Sequence, residues 1–251
     1  MIWILSTSGL SPSALALAAA MTFGAAAIRG LTGFGMAIIL VPLLGLVMRP
    51  DQAVVLAVLL QFLIGPVGIK TIVADSDRPS SLTIAAFAVI TTPLGLWLLA
   101  RTPPDVARLM ISAIAIGAFI LVILPRREAF VPGRAATALT GLAAGILTGF
   151  AAMPGPPVVP YYLRGGFSPV AARASMMLIF FATATAATIS STLFGLTTLP
   201  LMITALALFV PMFLGNQIGH LAFGKVSPTV WRSMVALVLG VAGVAAIIRA
   251  M

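Results

Sequence analysis

The sequence predicts an all-α polytopic membrane protein of two inverted repeats. Each repeat is a broken or re-entrant helical hairpin followed by three transmembrane helices, giving 8 to 10 helical membrane segments in all. Three observations carry this reading. Composition is the first: with 61% hydrophobic residues, 8% charged residues and a mean hydropathy of +1.19, the chain has too little polar surface to cover a soluble particle. The second is run length. The apolar stretches between charges are about 17 to 20 residues long, which at about 1.5 Å per residue matches a hydrocarbon core of about 30 Å. The third is a duplication. Leu31–Phe34 and Leu147–Phe150 both read LTGF, and a Val-Pro pair follows each copy. The copies are offset by 116 residues at LTGF (31 to 147) and by 118 at Val-Pro (41 to 159), so the second carries two extra residues. A weaker echo pairs Pro104–Met110 (PDVARLM) with Pro228–Met234 (PTVWRSM).

The same composition excludes other classes. Barrel strands would alternate in character every second residue, and these runs do not. The net charge of +9 comes from basic residues scattered at the ends of apolar runs, which is membrane anchoring and not a nucleic-acid stripe. Cysteine is absent and there is one histidine, so neither disulfides nor a metal cluster are expected, and no cofactor is implied. The first 25 residues hold no Lys or Arg, so they lack the basic start of a cleavable signal peptide and are expected to stay.

The first repeat is expected at 1–125, with a broken hairpin at 14–48 and helices at about 53–69, 82–100 and 106–124. A cytoplasmic linker at 126–134 carries Arg126, Arg127 and Arg134. The second repeat, 135–251, has its broken hairpin at 135–163 and helices at about 170–193, 199–222 and 230–248. The stretch 14–48 is too long for one straight span, since about 35 residues make over 50 Å of helix. Gly30, Gly33 and Gly35 supply its break, because glycine adopts backbone angles a helix cannot use. In the second copy Pro154, Pro156, Pro157 and Pro160 are expected to forbid a regular helix after Phe150.

Charge bias sets the number of crossings. If each broken segment enters and returns, and the linker is cytoplasmic, then Lys70, Arg78, Arg126, Arg127, Arg134, Arg164, Arg173, Lys225 and Arg232 face inward against Arg49, Arg101, Arg108 and Arg249 outside. Single crossings would reverse the bias, with six inside and seven outside. The positive-inside rule prefers the first arrangement. Each half then crosses an odd number of times and the halves insert oppositely, the inverted repeat of a transporter. Unwound backbone is tolerated at membrane depth only inside protein or beside a wet cavity. Two breaks near the midplane therefore define a central site, where half-helices starting near Met36 and after the prolines offer free N–H groups to an anion.

The segments GLTGFGMAIILVPLL (30–44) and GILTGFAAMPGPPVVPYYL (145–163) resemble the TauE/SafE sulfite exporter family, also called TSUP. Its members are duplicated membrane proteins with a glycine-rich turn and a Val-Pro or similar pair in each half. Through the repeat the resemblance covers nearly the whole chain, though the glycine run is thinned here to Gly33, Gly35 and Met36, then to Gly149, Ala151 and Ala152. The resemblance implies transport of sulfite, sulfonates or related sulfur-containing and organic acids across a bacterial inner (cytoplasmic) membrane. It does not choose among these anions.

Candidate substrate-binding residues follow from these readings. Arg29, Gly30, Thr32, Gly33 and Gly35 surround the first break, and Thr148, Gly149, Met153 and Gly155 the second. Arg29 lies deep in an apolar stretch, where charge is costly enough to suggest function; the matching position in the second copy, 29 plus 116, is Gly145. Thr32 and Thr148 either bond a bound oxyanion or cap their own helix ends. Gln61, Asn216 and Gln217 lie inside spans, as a polar path or as glue between helices. His220 reads as interfacial, with proton sensing as the rival role. Gly141, Gly145 and Gly149, and likewise Gly215 and Gly219, are spaced by four for close helix packing. Phe150, Tyr161 and Tyr162 face an organic substrate or anchor at the interface. All five acidic residues, Asp51, Asp75, Asp77, Asp105 and Glu128, are placed in loops, so no carboxylate relay for protons is expected. The expected partners are a small anion and the lipid bilayer; the small-residue faces suit internal packing or the seam of a homodimer. Transport by alternating access is the leading reading, with an anion channel using the same turns as filter the alternative. An enzyme is not expected: there is one His and no Gly-x-Ser-x-Gly elbow.

Overall fold

The computed structural model describes residues 11–123 and 132–223. These residues form helices and no strand: α1 (Pro12–Thr32), α2 (Met36–Leu44), α3 (Pro50–Ile64), α4 (Ile69–Asp75), α5 (Arg78–Arg101), α6 (Pro104–Ile123), α7 (Arg134–Ala151), α8 (Gly155–Arg164), α9 (Pro169–Leu193) and α10 (Leu199–Leu221). The helix expected at about 230–248 and most of the 126–134 linker lie outside the described residues. Among those described, α1, α5, α7, α9 and α10 are each long and apolar enough to span a membrane, and the bent pair α3–α4 makes a sixth candidate. The chain is an all-α polytopic membrane protein.

Local chemistry starts these helices where the sequence puts a short polar residue before a proline. Ser11, Asp77 and Ser168 accept the N–H groups of Ala14, Ser80 and Ala171 as N-caps, with proline at the first or second helical position of each. Side-chain caps satisfy donors the first turn leaves free, and a proline there has no N–H to waste.

Two helix pairs dominate the packing, α5 with α7 and α1 with α10. Glycine makes both possible. A Cβ on Gly141, Gly145 or Gly149 of α7 would strike the backbone of α5 at Ile84, Ala88 and Thr92, and one on Gly95 would strike Ile146. Thr91 Oγ1 crosses the same seam to Leu142 O at 2.9 Å. On α10, Gly215 and Gly219 meet the backbone of Phe23 and Ala27, while Gly30 of α1 meets Asn216. With no water to expel inside a bilayer, such close contact is what holds helices together. Residue numbers rise together along both seams, so each pair runs parallel. The opposite face of α10, with Leu206, Val210, Leu214, Ile218 and Leu221, is left to lipid.

The bundle has two ends. At one, Asp75 closing α4, Val170 and Arg173 opening α9, and His220 closing α10 line one cavity. At the other, Arg49 and Pro50 at the start of α3, Arg101 closing α5, Pro104 opening α6 and Leu196 after α9 line another. α1 runs with α10 toward the Arg173 end, and α2 then leads back to the start of α3 at the Arg101 end. α7 runs with α5 toward the Arg101 end, and α8 leads back to the start of α9 at the Arg173 end.

Three details differ from the sequence reading. The helix expected at about 53–69 ends at Ile64: Gly65 packs on the ring of Phe181, Gly68 takes φ 75°, and α4 leaves at 85°. The prolines after Phe150 do not forbid a helix. α7 continues to Ala151, and α8 forms at Gly155–Arg164 with Pro156 and Pro157 in its first turn, where no amide donor is required. Three of the described acids lie in helices and not in loops: Asp51 and Asp105 sit in first turns and Asp75 ends α4, while Asp77 stays in the link before α5 as its N-cap. Carboxylates at helix N-termini complement the dipole there.

Gly145→Leu is expected to cost about 3 kcal/mol or more by overpacking the α5–α7 seam. Gly24→Ala, at a helical position with nothing within 4 Å of the added Cβ, is expected to gain up to about 1 kcal/mol. Thermal unfolding in detergent measures both.

Candidate functional site

The two breaks are built differently. In the first, α1 stops at Thr32 because Gly33 and Gly35 take φ 83° and 91°, a left-handed conformation that only glycine enters freely. Thr32 Oγ1 lies 2.8 Å from both Ile28 O and Phe34 O and accepts the Phe34 N–H at 3.2 Å. In the second copy LTGF stays helical, since Gly149 is occupied in packing against α5 and the residues around it, Phe150, Ala151 and Ala152, are not helix breakers. The break comes at Ala152, held at φ 58°, where an L-residue costs about 1–2 kcal/mol. The Ala152 and Met153 N–H groups close the carbonyls of Thr148 and Leu147 at 2.7 and 3.2 Å. Gln61 Nε2, from α3, ties this turn down by donating to Ala152 O at 3.1 Å.

Between the breaks lies a cavity of about 20 Å³ lined by Arg29, Gly35, Gln61, Met153, Gly155 and Phe180, with Phe34, Met36, Ala37, Ile38 and Pro154 completing the wall. Phe180 is the twelfth of 25 residues in α9 and Arg29 the eighteenth of 21 in α1, so the cavity lies at the middle of α9 and toward the C-terminal end of α1. That volume suits about one water molecule and no larger solute.

The cavity is electropositive. Arg29 is only 6% exposed and donates through Nη1 to Asn216 Oδ1 at 2.7 Å; among the described residues the ion pairs are Arg49–Asp51 and Arg108–Asp105, and none includes Arg29. A buried guanidinium without a carboxylate is costly and is a functional signal. The first turn of α2 adds the N–H groups of Met36, Ala37 and Ile38, with no side-chain cap. α8 contributes Gly155 N–H and little more, because Pro156 and Pro157 have no amide hydrogen. The anion-facing donors are therefore unequal: the first half supplies most of them and the charge.

From the centre toward the Arg173 end, the next space is a cavity of about 170 Å³ bordered by Asn216, Gln217, Arg173 and His220. The Arg29–Asn216 bond stands between the two cavities. The Arg101 end holds a third cavity of about 330 Å³.

The match to family profiles is decisive for identity: residues 17–246 match the family described as Sulfite exporter TauE/SafE. The chain belongs to the TauE/SafE sulfite exporter family. No curated protein and no solved structure matches it. Membership makes this a multi-pass membrane protein of a transporter family.

Against that identity the candidate residues sort by position. The TauE/SafE fold brings Arg29, Gly35, Gln61, Met153 and Gly155 to the central cavity, with Asn216 bonded to Arg29. Gln217 borders the outer cavity. Gly30 and Gly33 pack against Asn216 and the Arg173 side chain. Thr32 is bonded within its own turn, and Thr148 Oγ1 donates to Ala144 O at 2.7 Å, so both hydroxyls serve backbone. Phe150 is buried, and Tyr161 and Tyr162 bond Thr137 Oγ1 and Ser80 Oγ, each at 2.9 Å, as ties between helices. Sequence reasoning missed Arg173 and Phe180. The helix expected at about 170–193 already held Arg173, but the charge count used it only as an inward-facing anchor; Ser168-Pro169 starts α9 just before it.

Thr148→Val is expected to leave the transport KM unchanged, because the hydroxyl is committed to its own helix; radiolabelled flux in proteoliposomes measures this. Ala152→Gly is expected to stabilise the protein by about 1 kcal/mol by relieving the left-handed turn, read as a higher Tm in detergent.

Proposed function

We propose that this protein carries small oxyanions, sulfite, sulfonates or related organic acids, by alternating access in a bacterial inner membrane. The observation that carries the reading is the buried Arg29 guanidinium, unpaired by any described carboxylate, beside the uncapped start of α2 in the cavity between the two breaks. A negatively charged oxyanion supplies the acceptors these donors lack.

Two inverted halves rocking about this site suit the packing. α1 pairs with α10 and α7 with α5, so the hairpin arm of each half rides on a long helix of the other. The hairpins return to opposite ends of the bundle, which is the relation an inverted repeat produces. The small central cavity favours a carrier over a channel, because a tetra-atomic anion enters only if the half-helices α2 and α8 separate. Lys70, Arg78, Arg134, Arg164 and Arg173 gather toward one end, against Arg49, Arg101 and Arg108 at the other; the positive-inside rule puts the first end in the cytoplasm. An anion leaving a cell that is negative inside gains about 2.3 kcal/mol per charge per 100 mV, so export requires no coupling ion.

Reconstituted uptake of sulfite, sulfate, sulfoacetate and lactate tests the reading. Saturable, exchange-stimulated flux is expected for the true substrates. Arg29→Ala, which removes a charge-assisted bond worth about 1.5–3 kcal/mol, is expected to lower flux of every transported anion by about 10- to 100-fold. Normal rates in that variant overturn the site, and non-saturating ionic current overturns the carrier mechanism.

A further inference from the structure

We propose that the cavity at the Arg173 end is a second oxyanion subsite, ligated by Arg173 and separated from the central one by the Arg29–Asn216 bond. The inference rests on the anion-carrier reading above and adds a binding step to it. Arg173 has five N–H donors. Its Nη2 uses two, toward Gly30 O at 2.7 Å and His220 Nδ1 at 3.1 Å. Its Nε is buried and has no acceptor. The guanidinium plane is fixed over the Phe223 ring at 4.6 Å, so the remaining donors are held in place rather than free to turn outward. The Arg173 side chain lines a cavity of about 170 Å³, several times the volume of the central one and roomy enough for an oxyanion of a few heavy atoms.

The surroundings suit an anion. Because an arginine only donates, His220 accepts through Nδ1 and carries its proton on Nε2. Gln217 and Thr71 add polar groups to the wall. Asp75 also borders this cavity, but it is exposed at the end of α4, where water screens it. Asn216 belongs to this wall and holds Arg29 of the inner one. An anion on Arg173 is therefore one hydrogen-bond exchange from the centre: as it displaces Asn216 from Arg29, the guanidinium trades an amide oxygen for a charged one.

A purely structural Arg173, stapling α9 to the last carbonyls of α1, is the rival account. Equilibrium binding of radiolabelled sulfite to the purified protein separates the two. The wild type is expected to bind two sulfites per chain, Arg29→Gln and Arg173→Gln one each. Thr71→Glu puts a carboxylate in the cavity from an exposed position and leaves every Arg173 contact in place; it too is expected to lose one site, with Tm unchanged. A wild type with one site, abolished by Arg29→Gln and untouched by Thr71→Glu, overturns the subsite and leaves the carrier reading standing. No sulfite binding by the wild type overturns both.

Discussion

The structure turns on a positive charge placed where lipid surrounds the protein and no described carboxylate answers it. Arg29 is held by one amide oxygen, from Asn216, on a helix from the other half of the chain. An amide oxygen makes the burial tolerable but does not neutralise it. The site is left short of one negative charge. The broken helices sit around it, Gly33, Gly35 and Ala152 making the turns, and such unwound backbone is tolerated within a membrane protein only where protein or a polar cavity surrounds it.

Close helix contact is the second requirement. α1 and α7 must be held firmly up to the point where they stop, or the turns that follow would not keep their shape. The glycine seams do this: backbone meets backbone along α1–α10 and α5–α7, and each hairpin arm is gripped by the opposite half. The tyrosines of α8 add polar ties to α7 and α5 through Thr137 and Ser80. Long arms gripped along their glycine seams thus carry the two short half-helices.

The repeat is imperfect, and the imperfections carry meaning. Gly33 and Gly35 place the first break inside the motif, whereas in the second copy the motif remains helical and the turn falls on Ala152. Prolines 156 and 157 strip α8 of donors that α2 keeps. Both links are three residues long, 33–35 and 152–154, so the extra length of the second copy lies in α7, which runs on past the motif. The site that results is lopsided, with charge and most donors on one side and a proline-stiffened wall on the other.

Much of the fold was legible in the chain itself: hydropathy, run length and the duplicated LTGF settle helices, a membrane and two breaks, because lipid punishes any exposed polar backbone and leaves few solutions. Arg29, Gln61 and the small-residue seams were readable for the same reason, each being an exception in an apolar run. What the residues did next was decided by tertiary structure. Thr32 and Thr148 bond carbonyls of their own chain segments, but whether Gly149 bends the chain or lets α5 approach, and whether Arg173 anchors at a span end or joins Asn216 and His220 around a cavity, depend on neighbours more than forty residues away in sequence. A side chain's chemistry is local, but its partner is chosen by packing.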